Sequence, residues 1–291
     1  MHNTSTNLPE DLALRLRALA EQSGSSEDEL IRELVEQRLA ASATRRPSET
    51  PVPGRFVGVG VGPGPADLVT FKAVHALRRA DRVVAPCTSV EAIGRAEAIV
   101  REVAPDVVVE RMVFVMAVEH GPRAAALREV CERIVAYLEA GDEVAFITLG
   151  DPNLYSTVSS VVAGIMARRP GTITATVPGI AAFQALAMEA DVVLTDEQQS
   201  LLLLPANVAP EVIDAALADR TRTVVLYKGG GRIAAIADHL AAADRLGPAM
   251  LGELIGMPGQ RVAPVADVRD RPASYLSAVI SPAPEGTGPT P

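Results

Sequence analysis

A glycine-rich run lies between a predicted strand, Phe56–Val59, and a predicted helix, Leu68–Ala80. The run, Gly58–Pro65, carries glycine at every second position, whereas a dinucleotide-binding loop needs the spacing G-x-G-x-x-G. Pro63 and Pro65 also remove two N–H groups that a pyrophosphate would use as donors. The sequence lacks the Gly-Lys-Ser/Thr of a Walker loop here. The run therefore predicts either a backbone that passes close to another kind of ligand or a tight turn without a ligand.

A second candidate loop, Thr148–Thr157, begins where the predicted strand Val144–Thr148 ends. Ligands of open α/β sheets bind outside the carboxyl ends of the strands. In this loop Gly150 permits a close turn, Asp151 supplies a carboxylate, and Pro152 fixes the direction in which the chain leaves. Such a carboxylate suits a ligand with hydroxyl or ammonium groups. The alternative interpretation is that Asp151 only caps the helix that follows.

From Arg55 onward, short β-branched runs alternate with helical stretches rich in Ala and Leu. This alternation predicts an α/β fold with a mainly parallel sheet. The predicted strands are Phe56–Val59, Val83–Ala85, Val107–Val109, Val144–Thr148, Ile173–Val177, Leu201–Leu204, Thr223–Leu226 and Tyr275–Ile280. The predicted helices are Leu68–Ala80, Ala92–Val103, Arg123–Ala140, Thr157–Ala167, Ala181–Met188, Glu211–Leu217 and Ile233–Ala243. We expect the strands to divide between two subdomains.

Residues 1–41 predict a short N-terminal helical pair. Leucines at Leu12, Leu16 and Leu19 form one apolar stripe, which Gly24 ends. Ser26 and Glu29 then have the spacing of a capping box at the start of the second helix. Two helices this short bury little surface alone, so the pair is expected to pack against a partner or against the main body of the chain.

Two segments lack any periodicity. Residues 42–54 predict a linker, because Pro, Ser and Thr dominate them. Residues 282–291, rich in Pro and Gly, predict a disordered tail.

Composition excludes several classes of protein. A formal net charge of -9 argues against general nucleic-acid binding, which needs basic patches. No apolar run reaches the roughly 18 residues of a membrane span. Cys87 and Cys131 have neither metal-ligand spacing nor the pattern of a disulfide framework, so we expect a reducing cytoplasm and no metal site.

Both loops and several later segments resemble, in the same order, the signature of the tetrapyrrole (corrin and porphyrin) methylases. The series comprises Gly58–Pro65, Ala66–Ala73, Gly150–Pro152, Val177–Phe183, Leu204–Ala206 and Val225–Gly229. Within that family, four segments are most similar to precorrin-2 C20-methyltransferases of cobalamin biosynthesis: Val113–Met116, Leu149–Thr157, Gly256–Val262 and Tyr275–Ser277. The chain departs from this group at Val115, Ala117–His120 and Tyr227, where the tetrapyrrole is expected to lie.

The resemblance implies a cytoplasmic, homodimeric S-adenosylmethionine-dependent C-methyltransferase that methylates C20 of precorrin-2 or of its cobalt form. It implies two α/β subdomains, residues 55–160 and 161–281, with the methyl donor S-adenosylmethionine in the cleft between them. Carried over by motif, the donor contacts are Pro63, Gly150, Asp151, Leu154, Ala181, Ala182, Ala206, Tyr227 and Lys228. The expected substrate contacts are Arg111, Met116 and Tyr155. No catalytic side chain is assigned.

Two alternatives stay open at this point. One is a member of the same family that methylates another ring position or another tetrapyrrole scaffold. The other is a DNA-binding regulator whose methylase-like body senses a ligand, because residues 1–41 weakly resemble the helical part of ribbon-helix-helix proteins. Residues 2–7 carry no Lys or Arg to contact phosphate, which weighs against the regulator and makes nucleic acid an unexpected partner.

Overall fold

The computed structural model describes residues 13, 16–20, 24–32, 53–114, 120–196 and 198–284. The chain forms two compact units, Met1–Val52 and Pro53–Pro291. We refer to the second unit as the body.

In the first unit the described residues 16–20 and 27–32 are helical. Gly24 separates them and has a positive φ of 69°, a backbone conformation that favours glycine. The capping box is confirmed, because the Ser26 hydroxyl accepts from the Glu29 N–H at 3.2 Å and Glu29 Oε2 accepts from the Ser26 N–H at 3.0 Å. Leu12, the first residue of the predicted apolar stripe, lies outside the described residues.

The first sheet of the body is entirely parallel. Its strands are β1 (Arg55–Gly60), β2 (Arg82–Cys87), β3 (Val109–Val113), β4 (Glu143–Thr148) and β5 (Ile173–Val177), in the order β3-β2-β4-β1-β5. Strands β1 and β4 are almost continuously apolar and buried, as expected for a sheet covered on both faces. The covering helices are α1 (Phe71–Arg79), α2 (Arg95–Val103), α3 (His120–Glu139) and α4 (Val158–Arg168).

The second sheet is mixed, so the expectation of a mainly parallel sheet is wrong for this half. Its strands are β6 (Ser200–Pro205), β7 (Arg222–Tyr227), β8 (Met250–Glu253), β9 (Arg261–Pro264) and β10 (Ser277–Ser281), in the order β6-β7-β10-β8-β9. Only the pairing of β6 with β7 is parallel among these described strands. The helices are α5 (Ala182–Glu189), α6 (Pro210–Ala218), α7 (Ile233–Ala242) and the short α8 (Val265–Val268).

The strand boundaries differ from the sequence prediction in three places. Strands β8 and β9 are absent from the prediction, and β3 begins where the predicted strand Val107–Val109 ends. Strand β5 pairs with β1, so the first sheet continues past residue 160. At the other end, Ala283 N–H donates to Thr223 Oγ1 at 2.9 Å, so the chain is held beyond residue 282, where the tail was expected to begin.

Candidate functional site

The loops after β1, β4 and β5 cross one another at the carboxyl edge of the first sheet. Gly150 N–H donates to the Gly62 carbonyl at 2.7 Å, and Val61 N–H donates to the Thr148 carbonyl at 3.0 Å. A Cβ on Gly179 would overlap the carbonyl oxygen of Gly150. These glycines therefore allow three backbones to pass within contact distance of one another.

Asp151 ties two of these loops together. Its Oδ1 accepts from the Asn153 N–H at 2.8 Å and its Oδ2 accepts from the Gly179 N–H at 3.1 Å. Both carboxylate oxygens thus bind backbone groups of the protein. The structure favours neither a simple helix cap nor a free carboxylate, and instead shows a brace between the loop after β4 and the loop after β5.

The crossed loops form one side of an open cleft, and the second sheet forms the other. The cleft holds about 1020 Å³ of non-protein space, including solvent at its mouth, and its walls are mostly apolar. Eight of the expected donor contacts line it: Pro63, Gly150, Asp151, Leu154, Ala181, Ala182, Tyr227 and Lys228. The expected substrate contact Tyr155 lines it too. Ala206 is not among the lining residues; it is buried, and its N–H donates to the Tyr227 carbonyl at 2.7 Å.

Tyr155 and Lys228 meet across the mouth of this cleft. Lys228 Nζ donates to the Tyr155 carbonyl at 3.3 Å, and the Tyr155 hydroxyl donates to the Leu203 carbonyl at 3.1 Å. Both residues have a positive φ, 48° for Tyr155 and 61° for Lys228. Backbone strain of this kind in non-glycine residues is concentrated at functional sites.

Tyr227 lies deeper in the cleft and is half-buried. Its hydroxyl accepts from the Phe183 N–H at 3.3 Å, at the start of α5. Burial raises the pKa of Tyr227 above its ordinary value, and burial also raises the pKa of Tyr155. Both phenols therefore stay protonated and neutral near neutral pH.

Of the two remaining expected substrate contacts, the described one, Arg111, does not line the cleft. Arg111 donates from Nε to Glu97 Oε2 at 2.6 Å, from Nη2 to Glu97 Oε1 at 2.9 Å and from Nη1 to the Val90 carbonyl at 2.7 Å. Its guanidinium thus holds α2 and the loop before that helix onto β3. Met116 lies outside the described residues.

The cleft also contains residues that the sequence analysis did not assign to a site. They come from β8 and the segment after it, and from β10 and the segment before it: Gly252, Leu254, Ile255, Met257, Tyr275, Leu276, Ser277 and Ala278. The similarity of Gly256–Val262 and Tyr275–Ser277 to family motifs was the available signal for them. Among the described residues, no group of three His, Cys, Asp or Glu side chains is arranged to hold a metal ion. No described helix has the length and apolarity of a membrane span.

Two sheets whose strand-end loops enclose an apolar cleft define an α/β protein that binds a small molecule at those loops. The family model of the Tetrapyrrole (Corrin/Porphyrin) Methylases matches residues 55–268, and the chain belongs to this family. The chain is accordingly a methyltransferase, and tetrapyrrole methylases use S-adenosylmethionine as their methyl donor.

Similar proteins carry more specific names. The cobalt-precorrin-2 C(20)-methyltransferase of Salmonella typhimurium is 32% identical over 232 residues, which cover 78% of this chain and 95% of that protein. The precorrin-2 C(20)-methyltransferase of Sinorhizobium sp is 31% identical over 238 residues, which cover 79% and 95%. Among solved structures, the cobalt precorrin-4 methyltransferase CbiF shares the fold with a TM-score of 0.62 at 20% identity, covering 78% of this chain and 94% of that one.

The cleft residues fit S-adenosylmethionine. Apolar side chains such as Leu154, Ile255 and Met257 suit the adenine ring and the methylene groups. The faces of Tyr155 and Tyr227, whose centroids lie 5.4 Å apart, offer π surfaces to a sulfonium cation. The glycine-containing loops bring backbone polar groups to the wall without side chains in between.

Proposed function

We propose that this protein transfers a methyl group from S-adenosylmethionine to C20 of precorrin-2 or of its cobalt form. The observation that carries the proposal is the cleft itself, where eight of the nine donor contacts expected from the family resemblance come together from three loops and the second sheet. Support also comes from two relatives named for that reaction, each aligned over 95% of its length.

The proposed donor contacts are the eight lining residues given above, without Ala206. When bound, S-adenosylmethionine supplies an activated methyl group on a sulfonium, a good leaving group for attack by an electron-rich carbon. The crossed loops hold the donor in one orientation, and alignment of two reactants can lower much of such a barrier. Tyr155 and Lys228 then narrow the mouth through which the acceptor carbon must approach.

The described cleft residues provide alignment and no strong base. Tyr227 and Tyr155 stay neutral because burial raises the pKa of each phenol. Asp151 uses both carboxylate oxygens for backbone N–H groups. We therefore propose that the proton lost from the methylated carbon leaves to a ring nitrogen of the substrate or to water.

We further propose a cytoplasmic homodimer. The free, buried thiols of Cys87 and Cys131 support a reducing compartment. The dimer follows from the family resemblance and is tested by light scattering coupled to gel filtration, where a mass near twice 30.5 kDa supports it. A mass near 30.5 kDa at micromolar concentration contradicts it.

The enzyme assignment is favoured over a DNA-binding regulator, because the family match and the named relatives concern the methylase body. The decisive experiment incubates the protein with methyl-labelled S-adenosylmethionine and either precorrin-2 or cobalt-precorrin-2, under anaerobic conditions. We expect label on C20 by mass spectrometry and NMR, and none when S-adenosylhomocysteine is in excess. Label on another ring carbon supports the other family reaction, and label nowhere on the macrocycle overturns the proposal.

A further inference from the structure

The cleft carries one cationic side chain, Lys228, without an ion-pair partner among the residues that the structure describes. Of the described residues that line the cleft, two are formally charged, Asp151 and Lys228. Each oxygen of the Asp151 carboxylate accepts one backbone N–H, from Asn153 and from Gly179. Lys228 is exposed and has no carboxylate within ion-pair distance among the ion pairs of the described residues. The charge of Lys228 is thus available to a ligand.

The hydrogen-bonding capacity of Lys228 leads to the same conclusion. A lysine ammonium has three donors, and Nζ donates one to the Tyr155 carbonyl at 3.3 Å. Nζ also lies 5.5 Å from the ring centroid of Tyr275, so the ring stabilises the cation without using a donor. The main-chain anchor fixes the position of Nζ, and two N–H donors remain for an anionic oxygen.

Two exposed tyrosines accompany this ammonium. The ring of Tyr275 lies near Nζ, and Tyr155 supplies the carbonyl that anchors it. Tyr155 and Tyr275 are 39% and 53% exposed, and both line the cleft. An exposed cation beside exposed tyrosines suits a ligand with a carboxylate next to a flat, apolar surface.

We propose that Lys228, Tyr155 and Tyr275 form a carboxylate-binding rim at the mouth of the cleft. The proposal rests on the proposed function, which supplies two sources of this chemistry. One is the carboxylate of the amino-acid part of the methyl donor. The other is a peripheral carboxylate of the tetrapyrrole, whose macrocycle would lie against the tyrosine rings.

Amine labelling tests the rim without requiring turnover. The chain contains two lysines, Lys72 and Lys228, and Lys72 is an exposed residue of α1 that does not line the cleft. Reductive methylation followed by mass spectrometry therefore measures the labelling rate of Lys228, with Lys72 as the internal reference. One pair of probes is S-adenosylhomocysteine and 5′-methylthioadenosine, which lacks the amino-acid part. The other pair is uroporphyrin and its methyl ester, which lacks the free carboxylates.

We expect the carboxylate-bearing member of at least one pair to slow labelling of Lys228 by about threefold or more at saturation, with Lys72 unchanged. If S-adenosylhomocysteine protects Lys228 and 5′-methylthioadenosine does not, the rim binds the carboxylate of the methyl donor. If uroporphyrin protects it and the methyl ester does not, the rim binds a carboxylate of the tetrapyrrole. The proposed rim is contradicted if no probe slows the labelling of Lys228, or if both members of each pair slow it equally. Since no methyl transfer is needed, failure of the C20 assay leaves this result interpretable.

The variant Lys228→Met adds a kinetic test. Met keeps an unbranched side chain at a backbone position with positive φ, so it removes the charge with little added strain. We expect the KM of the ligand that labelling identifies to rise about fivefold to tenfold. The matched variant Lys72→Met is expected to leave both KM values unchanged. Unchanged KM values for donor and acceptor in Lys228→Met contradict the proposal.

Discussion

The carboxylate of Asp151 accepts the backbone N–H of Gly179 at 3.1 Å, which braces the loop after β4 against the loop after β5. These two loops carry Gly150 on one side and Ala181 and Ala182 on the other, all of them lining the cleft. The brace therefore fixes the position of these two loops relative to each other in one wall of the cleft. A charged acceptor suits this task, because charge-assisted hydrogen bonds are roughly twice as strong as neutral ones.

Replacing Asp151 by Asn should loosen the brace. The Asn side chain keeps one oxygen, which can accept one of the two backbone N–H groups. Its NH₂ group replaces the second oxygen and cannot accept the other N–H. We expect the Kd for S-adenosylhomocysteine to rise about tenfold. Ordering the loosened loops on binding would weaken the binding free energy by about 1.4 kcal/mol. Isothermal titration calorimetry measures this change. The control is Asp238→Asn on α7, whose exposed carboxylate pairs with Arg269; if both variants bind equally well, the brace does not control the cleft.

Gly179 should tolerate no side chain. A Cβ there would overlap the carbonyl oxygen of Gly150 and approach Gly60, and all these atoms belong to the backbone. We expect Gly179→Ala to lower the free energy of unfolding by about 2 kcal/mol or more and to abolish detectable donor binding, since the loops must separate. Urea unfolding and calorimetry report the two effects.

Gly247→Ala is the matched control for this substitution, because a Cβ at Gly247 meets nothing within 4 Å. It should leave stability and binding unchanged. If the two variants have the same stability and the same affinity for the donor, the crossed loops accommodate an added methyl group without loss.

The sequence alone predicts where these loops lie in the fold, but not which distant residues they contact. Gly150 and Asp151 follow an apolar strand, and that local pattern is enough to place them at a carboxyl edge. The partner of Asp151 lies 28 residues away, and the carbonyl that anchors Lys228 lies 73 residues away. Such pairs depend on sheet register and on how the two sheets pack, which no local spacing encodes.

Other features that the sequence did not reveal have similar causes. Strands β8 and β9 have four residues each, and β8 contains Gly252, so neither gives a periodic signal. Arg111 was expected to meet substrate because it is a cation near a family motif. The structure pairs it with Glu97, fourteen residues earlier on α2, a contact that requires the packing of α2 against β3.

Tyr227→Phe tests whether the buried phenol takes part in proton transfer. Burial raises the pKa of Tyr227, so the hydroxyl stays neutral through the working range and only accepts the Phe183 N–H. We expect a stability loss of about 1 kcal/mol from the lost hydrogen bond and no change in the shape of the kcat profile with pH. A limb of that profile that disappears in Tyr227→Phe would show that the phenol titrates during catalysis.

The Glu97 carboxylate should give the body a pH-dependent stability. The Arg111 hydrogen bonds hold the pKa of Glu97 below its ordinary value. A lowered carboxyl pKa stabilises the fold above the ordinary Glu value of about 4.3 and loses that contribution as the pH falls towards the folded-state pKa. We expect Glu97→Gln to be less stable than the parent by about 2 kcal/mol near neutral pH, and the difference should shrink below about pH 4.

Urea unfolding of both proteins across this range measures the effect. Glu132→Gln is a suitable control, because the Glu132 side chain is 66% exposed and its ion pair with Arg168 spans 3.6 Å. A difference between Glu97→Gln and the parent that stays constant with pH would show that the lost contact is not electrostatic.

Arg245 is fully buried, and no described carboxylate forms an ion pair with it. It stabilises the second half of the body through carbonyl groups. Its two terminal nitrogens donate to the carbonyls of Leu217, Asp219, Arg222, Ser281 and Pro282. Arg245→Met should leave these acceptors without donors and cost about 3 kcal/mol in urea unfolding. Arg245→Lys keeps the charge but loses the planar fork, so it should recover only part of that loss. Full recovery by Lys would show that charge alone, rather than the fork geometry, holds the end of β10 in place.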